Sequence, residues 1–166
     1  MIQSVRSNDK PVFLCLEGGR GGYREYVWCK EGRHAPSDEW VMHLEPSGEY
    51  SFRSNDPFYP DFYLNYAGPD YSRRLYEFKA YNLKLVEGKC PYGDDLWTIA
   101  DSGKGFVTIK AEVRPGREGS GRFIYQVPFK DGRNLGLVME YPRSEPAWGQ
   151  RNRFRIIDVT PSNTER

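Results

Sequence analysis

Three stretches decide how this chain reads: D-E-W-V-M-H-L at 38–44, D-D-L-W-T-I-A at 94–100 and R-N-R-F-R-I-I at 151–157. Each places polar residues before a large aromatic side chain and a short strand-like run after it. Trp40, Trp97 and Phe154 stand at equal intervals of 57 residues. A fixed period of that length marks an internal structural repeat, whose copies bury together what one unit leaves open. Phe52 follows Trp40 by 12 residues, and Ile109 follows Trp97 by 12. Ser47-Gly48 and Ser102-Gly103 fall between them and read as one turn made twice, with both glycines expected at positive φ.

Working outward, each unit supplies four strands. The first is S-V-R-S, Y-S-F-R-S or F-V-T-I-K-A, and the second V-F-L-C-L-E, D-F-Y-L-N-Y or R-F-I-Y-Q-V. The third is R-E-Y-V-W-C-K, N-L-K-L-V-E or L-G-L-V-M-E-Y, and the fourth carries the periodic aromatic. Alternation supports strands, since Phe62, Leu64 and Tyr66 share one face. The spacing predicts an all-β fold of twelve short strands in three pseudo-symmetric four-stranded units, about 1–47, 48–103 and 104–159. These form one domain, 1–159, followed by a polar tail, 160–166. With Val5 matched to Phe52 and Ile109, the first unit is ten residues shorter than the others. The tetrad R-S-N-D, at 6–9 and again at 53–56, is then a remnant of the repeat that ends a first strand and opens a turn. Y-S-R-R-L-Y-E-F-K-A at 71–80 reads as one or two helical turns or a long hairpin arm.

Composition agrees with a turn-rich β domain. Among 166 residues, 15% are aromatic, with 17 Gly and 12 Pro to punctuate short strands. The net charge of +1 lacks the basic excess that nucleic-acid binding needs. Three cysteines, Cys15, Cys29 and Cys90, do not make a disulfide framework, although one bridge stays open. No signal peptide and no apolar run of membrane-spanning length is visible, which leaves a cytoplasmic protein or a secreted one in its mature form.

The Trp40, Trp97 and Phe154 series, the paired Ser-Gly turns and the four strands per unit together resemble the β-trefoil superfold, over nearly the whole chain. That resemblance implies three units around a pseudo-threefold axis with a shared core. It also implies a choice among the trefoil's uses: ricin-type and fungal lectins, protease inhibitors, fibroblast-growth-factor-like cytokines and fascin-type actin bundlers. The ricin-type Gln-x-Trp is absent, since Asp38-Glu39-Trp40, Asp95-Leu96-Trp97 and Arg153-Phe154 stand in its place. That family's sugar site therefore does not transfer residue by residue.

Catalytic chemistry finds little support. Two histidines, His34 and His43, do not assemble a metal site, and no phosphate-binding glycine loop opens a helix. No cofactor is expected, and the protein is not expected to be an enzyme. Recognition is the better expectation. Sugar sites combine an aromatic face with Asp and Asn side chains, and Asn55, Asp56, Tyr59, Tyr63 and Asn65 cluster in the second unit, with Trp148 in a Pro- and Gly-bounded loop. The partners are then glycans or glycoproteins. The alternative is a trefoil-type inhibitor that presents P-F-Y-P at 57–60, or Arg114, Arg117 or Arg143 on a Pro-flanked loop, to a protease. A further alternative is a protein-interaction or cytoskeletal-binding trefoil.

Overall fold

The computed structural model describes residues 1–4, 12–17, 26–66, 72–75, 78–112, 122–128, 134–139 and 152–159. Thirteen strands cover them: β1 (Ile2–Ser4), β2 (Val12–Glu17), β3 (Tyr26–Glu31), β4 (Trp40–Leu44), β5 (Tyr50–Ser54), β6 (Phe62–Tyr66), β7 (Ser72–Leu75), β8 (Phe78–Glu87), β9 (Trp97–Gly103), β10 (Phe106–Ala111), β11 (Phe123–Pro128), β12 (Asn134–Met139) and β13 (Phe154–Ile156). There is no helix among the described residues.

The pairing repeats three times. One ladder runs β4–β5–β9–β10–β13–β1, all antiparallel. Three hairpins, β2–β3, β6–β8 and β11–β12, lean on the starts of the units through β1, β5 and β10. Their inner strands β3, β8 and β12 pair with one another in all three combinations. Such closure leaves few exposed edges. Thirteen strands replace the expected twelve because of β7. Arg73 pairs with Ala80 and Leu75 with Phe78, so the described residues of 71–80 form a hairpin arm rather than a helical turn.

Register fixes which residues are equivalent. Trp40 lies opposite Ser54, Trp97 opposite Ala111 and Phe154 opposite Ser4, a large ring facing a small side chain each time. One rung further, Met42 faces Phe52, Ile99 faces Ile109 and Ile156 faces Ile2. Phe52, Ile109, Ile2, Trp97 and Phe154 are all fully buried. Each such side chain contributes roughly 1.5–3 kcal/mol by leaving water. In the first unit Ile2 therefore takes the place of Phe52 and Ile109; Val5 lies outside the described residues. Ser4 holds the place of Ser54, so the tetrad at 6–9 starts three positions later than register equivalence with 53–56 requires; its own residues lie outside the described ones.

The turns need a similar correction. Leu44 pairs with Tyr50 and Asp101 with Val107, which makes Gly105 the counterpart of Gly48. Gly48, Gly103 and Gly105 all have positive φ, at 97°, 83° and 75°. The second hairpin is tighter. Gly103 pairs with Phe106 across Lys104-Gly105, and the register shifts between Phe106 and Val107. Lys104 itself sits at φ 58°, a left-handed conformation that a side chain adopts at a cost.

Candidate functional site

The periodic aromatics anchor the loops that reach the surface. The indole N–H of Trp40 donates to Leu14 O at 3.2 Å, and that of Trp97 donates to Leu64 O at 3.1 Å. Phe154 has no such donor. Two residues before each aromatic lies a buried polar side chain: Asp38, Asp95 and Asn152. Asp38 Oδ2 accepts His34 N and Arg33 Nε, both at 2.9 Å, and Asp95 Oδ2 accepts Cys90 N at 3.3 Å. These carboxylates shape the loops into the fourth strands, as turn-making predicts for them. Burial pushes the Asp95 carboxyl above its ordinary range, offset in part by the Cys90 N–H.

Two of these loops meet the second unit. The segment after β5 is tied to the loop before β4: Asn55 N donates to Glu39 O at 3.1 Å, and the Asn55 side-chain amide to Glu39 Oε2 at 3.0 Å. The segment after β8 is tied to the loop before β6, where Gly88 N donates to Asp61 O at 2.8 Å. The loops at 55–61 and 88–96 thus leave the same end of the β6–β8 pair, where Phe62 faces Glu87. Each exposes a large ring. Phe58 is 85% exposed and Tyr92 66%.

The β4–β5 hairpin runs into the first of these loops. Alternation turns Ser51 and Arg53 away from Phe52 and Ser54, with Ser51 itself buried and Arg53 half-buried. Arg53 stands between Val41 on β4 and Tyr63 on β6. Glu45, at the tip of the hairpin, accepts hydrogen bonds from Lys89 and from Ser51. The Lys89 hydrogen bond, then that of Ser51, holds the Glu45 carboxyl below its usual range, and the same Glu45 contact raises Lys89. The Lys89 ammonium lies 6.0 Å from the centre of the Tyr63 ring.

The residues expected to bind sugar divide sharply. Asp56 is buried and fully engaged: Oδ1 accepts Phe58 N at 3.0 Å and Oδ2 accepts Ser37 Oγ at 2.9 Å. Asn65 is buried too, and its amide donates to Tyr63 O at 3.0 Å. Tyr63 is buried beneath Lys89, and Tyr59 packs edge-on against Phe62 with ring centres 5.3 Å apart. Only Asn55 is exposed, and its amide is held by Glu39. The cluster is therefore brought together as the frame of a loop rather than as its binding face. Trp148, Arg114, Arg117 and Arg143 lie outside the described residues.

The loop P-F-Y-P is not the extended strand that an inhibitory loop needs. Tyr59 N closes a turn on Asp56 O at 2.9 Å, and Phe58 N is taken by the Asp56 carboxylate. The N–H groups of Phe58 and Tyr59 are thus already paired within the loop. Sequence reasoning took Phe58 only as part of an inhibitory loop and missed Tyr92. A Phe between Pro57 and Tyr59, and a Tyr in P-Y-G, were the available signals. No disulfide joins Cys15, Cys29 and Cys90, and among the described residues no group of three or more His, Cys, Asp or Glu could hold a metal ion.

No family model matches the sequence, and no curated protein does. Solved structures do match. A designed 3-fold symmetric protein, ThreeFoil, superposes with a TM-score of 0.65 at 13% identity, over 95% of this chain and 97% of that one. A chain of the Haemophilus ducreyi cytolethal distending toxin superposes with a TM-score of 0.59 at 10% identity, over 98% of this chain and 88% of that one. At such identities the likeness speaks to fold alone. With three sets of hairpins around one ladder and a designed threefold protein as neighbour, the chain is a β-trefoil with an internal threefold repeat.

Proposed function

We propose that the protein is a non-catalytic glycan-binding protein whose contact surface lies on the second unit, with Phe58 and Tyr92 as the stacking residues. The observation that supports this is the exposure of both rings on neighbouring loops that are hydrogen-bonded at their bases. Exposed rings of this size on rigid loops mark interaction surfaces, because they leave apolar area in water that a partner can cover. A sugar ring offers such a partner its apolar C–H face. Its hydroxyls then need hydrogen-bonding groups nearby, and the exposed Asp61 and Asn55 stand on the same loop. The loop is pre-ordered by Asp56, so little conformational freedom is lost on binding.

A glycan array probed with the wild-type chain tests this. The expected result is saturable binding to a defined set of glycans, and a loss of about tenfold or more in Phe58→Ala or Tyr92→Ala, equivalent to ~1.4 kcal/mol. Folded protein that binds no glycan, or binds undiminished in the double variant, overturns the reading.

A further inference from the structure

The two loops that expose Phe58 and Tyr92 carry an unbalanced charge. Residues 55–61 and 88–96 hold Asp56, Asp61, Asp94 and Asp95 against a single cation, Lys89. Lys89 is spent, since its ammonium donates to both oxygens of Glu45. Three of the aspartates are buried in the frame of the loops: Asp56, which accepts Phe58 N and Ser37 Oγ, Asp95, which accepts Cys90 N, and Asp94. Asp61 differs. It is exposed, and among the described residues its carboxylate has neither a hydrogen bond nor an ion pair; only its backbone oxygen is used, by Gly88 N at 2.8 Å. Glu87, opposite Phe62 where β8 runs into the second loop, is likewise exposed and has no side-chain partner among the described residues. Nearby cations do not offset these two. Arg33 is paired with Asp38 and Glu39, and Arg53 is half-buried on β5.

We infer that the ligand of this surface is cationic: a saccharide bearing protonated amines, with an ammonium group held by the exposed rings and the Asp61 carboxylate. Two independent features carry the sign of the charge. The face of an aromatic ring is electron-rich and attracts a cation placed over it. The carboxylates add a negative field over the same loops, which draws cations in and turns uronates and sulfates away. A neutral sugar uses the rings alone, whereas an amino sugar uses rings and carboxylate together. The backbone makes this feasible. Phe58 lies within the turn that Tyr59 N closes on Asp56 O, and Asp61 within the turn that Phe62 N closes on Tyr59 O at 3.4 Å. Ring and carboxylate thus stand on consecutive turns of one fixed loop. Asp61 selects the charge of the ligand, while Phe58 and Tyr92 supply the stacking. The saccharide rests on the glycan reading above; the preference for a cation does not.

The experiment uses the full chain and two oligosaccharides of one backbone, a glucosamine oligomer and its fully N-acetylated form, which loses the charge and keeps the rings. Binding is measured by titration calorimetry at mildly acidic pH, where the amines are protonated, for wild type and Asp61→Asn. In parallel, the ring-proton resonances of Phe58 and Tyr92 in the wild-type chain are followed by NMR as tetramethylammonium chloride is added, with sodium chloride as the control. The amine form is expected to bind about fivefold or more tighter than the acetylated form, the sum of an exposed ring–cation contact and an exposed ion pair. Asp61→Asn brings that ratio close to one, and tetramethylammonium shifts the ring protons saturably where sodium does not. Equal binding of the two oligomers, or tighter binding of the acetylated one, overturns the cation preference and leaves the glycan reading standing. A preference that persists unchanged in Asp61→Asn overturns the assignment to Asp61. If neither oligomer binds and the glycan array is silent while the ring shifts saturate, the cation site stands and the glycan reading falls. Neither binding nor shift overturns both. Because the NMR arm uses wild type, a variant that fails to fold does not rescue the idea.

Discussion

The loop into β4 and the loop into β9 build the same frame and settle its electrostatics differently. Both place an aspartate two residues before a tryptophan whose indole bonds to the second strand of its own unit. Both close on the same backbone bond to the following segment: Asn55 N to Glu39 O at 3.1 Å, and Glu112 N to Leu96 O at 2.9 Å. Yet Asp38 meets the guanidinium of Arg33, while Asp95 meets only backbone and stays partly desolvated. Trp97 is fully buried with Tyr66 edge-on at 6.2 Å, while Trp40 is only partly buried. Backbone geometry is thus what the repeat preserves, and charge compensation is left to each copy. The third copy, with Asn152 and Phe154, dispenses with both the charge and the indole bond.

The largest expected difference lies at the tryptophans. Trp97→Ala should cost about 3–5 kcal/mol and Trp40→Ala roughly half of that, read from urea unfolding of each variant. Equal losses would break the distinction between the tight and the loose copy. Next come the hairpins that follow. Only the second holds a non-glycine residue in the left-handed region, so Lys104→Asn should stabilise by about 0.5–1 kcal/mol, while Gly105→Ala should cost ~1 kcal/mol or more. No atom lies near the added Cβ, so a loss at Gly105 measures backbone conformation alone.

The aspartates sharpen the comparison through opposite signs. Asp38→Asn loses the Arg33 pairing and should cost about 1 kcal/mol. Asp95 holds its proton to higher pH in the folded chain than in the unfolded one. Its contribution is therefore complete below the ordinary carboxylate pKa and is lost as pH rises through the raised folded value. Asp95→Asn should raise Tm at neutral pH and leave it unchanged in acid. The smallest effect belongs to Glu45, whose folded pKa is depressed, so its stabilisation is present above the ordinary value and disappears as pH falls. Since Lys89 is half-exposed, Glu45→Gln should cost less than about 1 kcal/mol at neutral pH, with the gap to wild type closing on acidification.

The even spacing of Trp40, Trp97 and Phe154 made the threefold frame legible, because each faces a small residue across the ladder at the equivalent rung. The entry of the first unit was not legible. Ile2 and Val5 are both apolar, β1 is three residues long, and the repeated tetrad drew the alignment to Val5, whereas the register matches Ile2 with Phe52 and Ile109. The site was harder still. Asp56 looked like a ligand group until Ser37, from another unit, reached its second oxygen. Phe58 and Tyr59 are adjacent aromatics, and only the turn decides which faces water.

The pairing of Ile2 with Ile156, continued by the Met1 amine to Ile157 O at 2.8 Å and Ile157 N back to Met1 O, also governs how the chain comes into being. Contacts between residues so distant in sequence close slowly, which places folding in the range of milliseconds to seconds once the chain is whole. At roughly 5–20 residues per second, a ribosome needs on the order of ten seconds to pass from β1 to β13. For that interval β1 has no ladder partner on that side. A nascent chain thus carries that open edge of β1 until β13 arrives to close it.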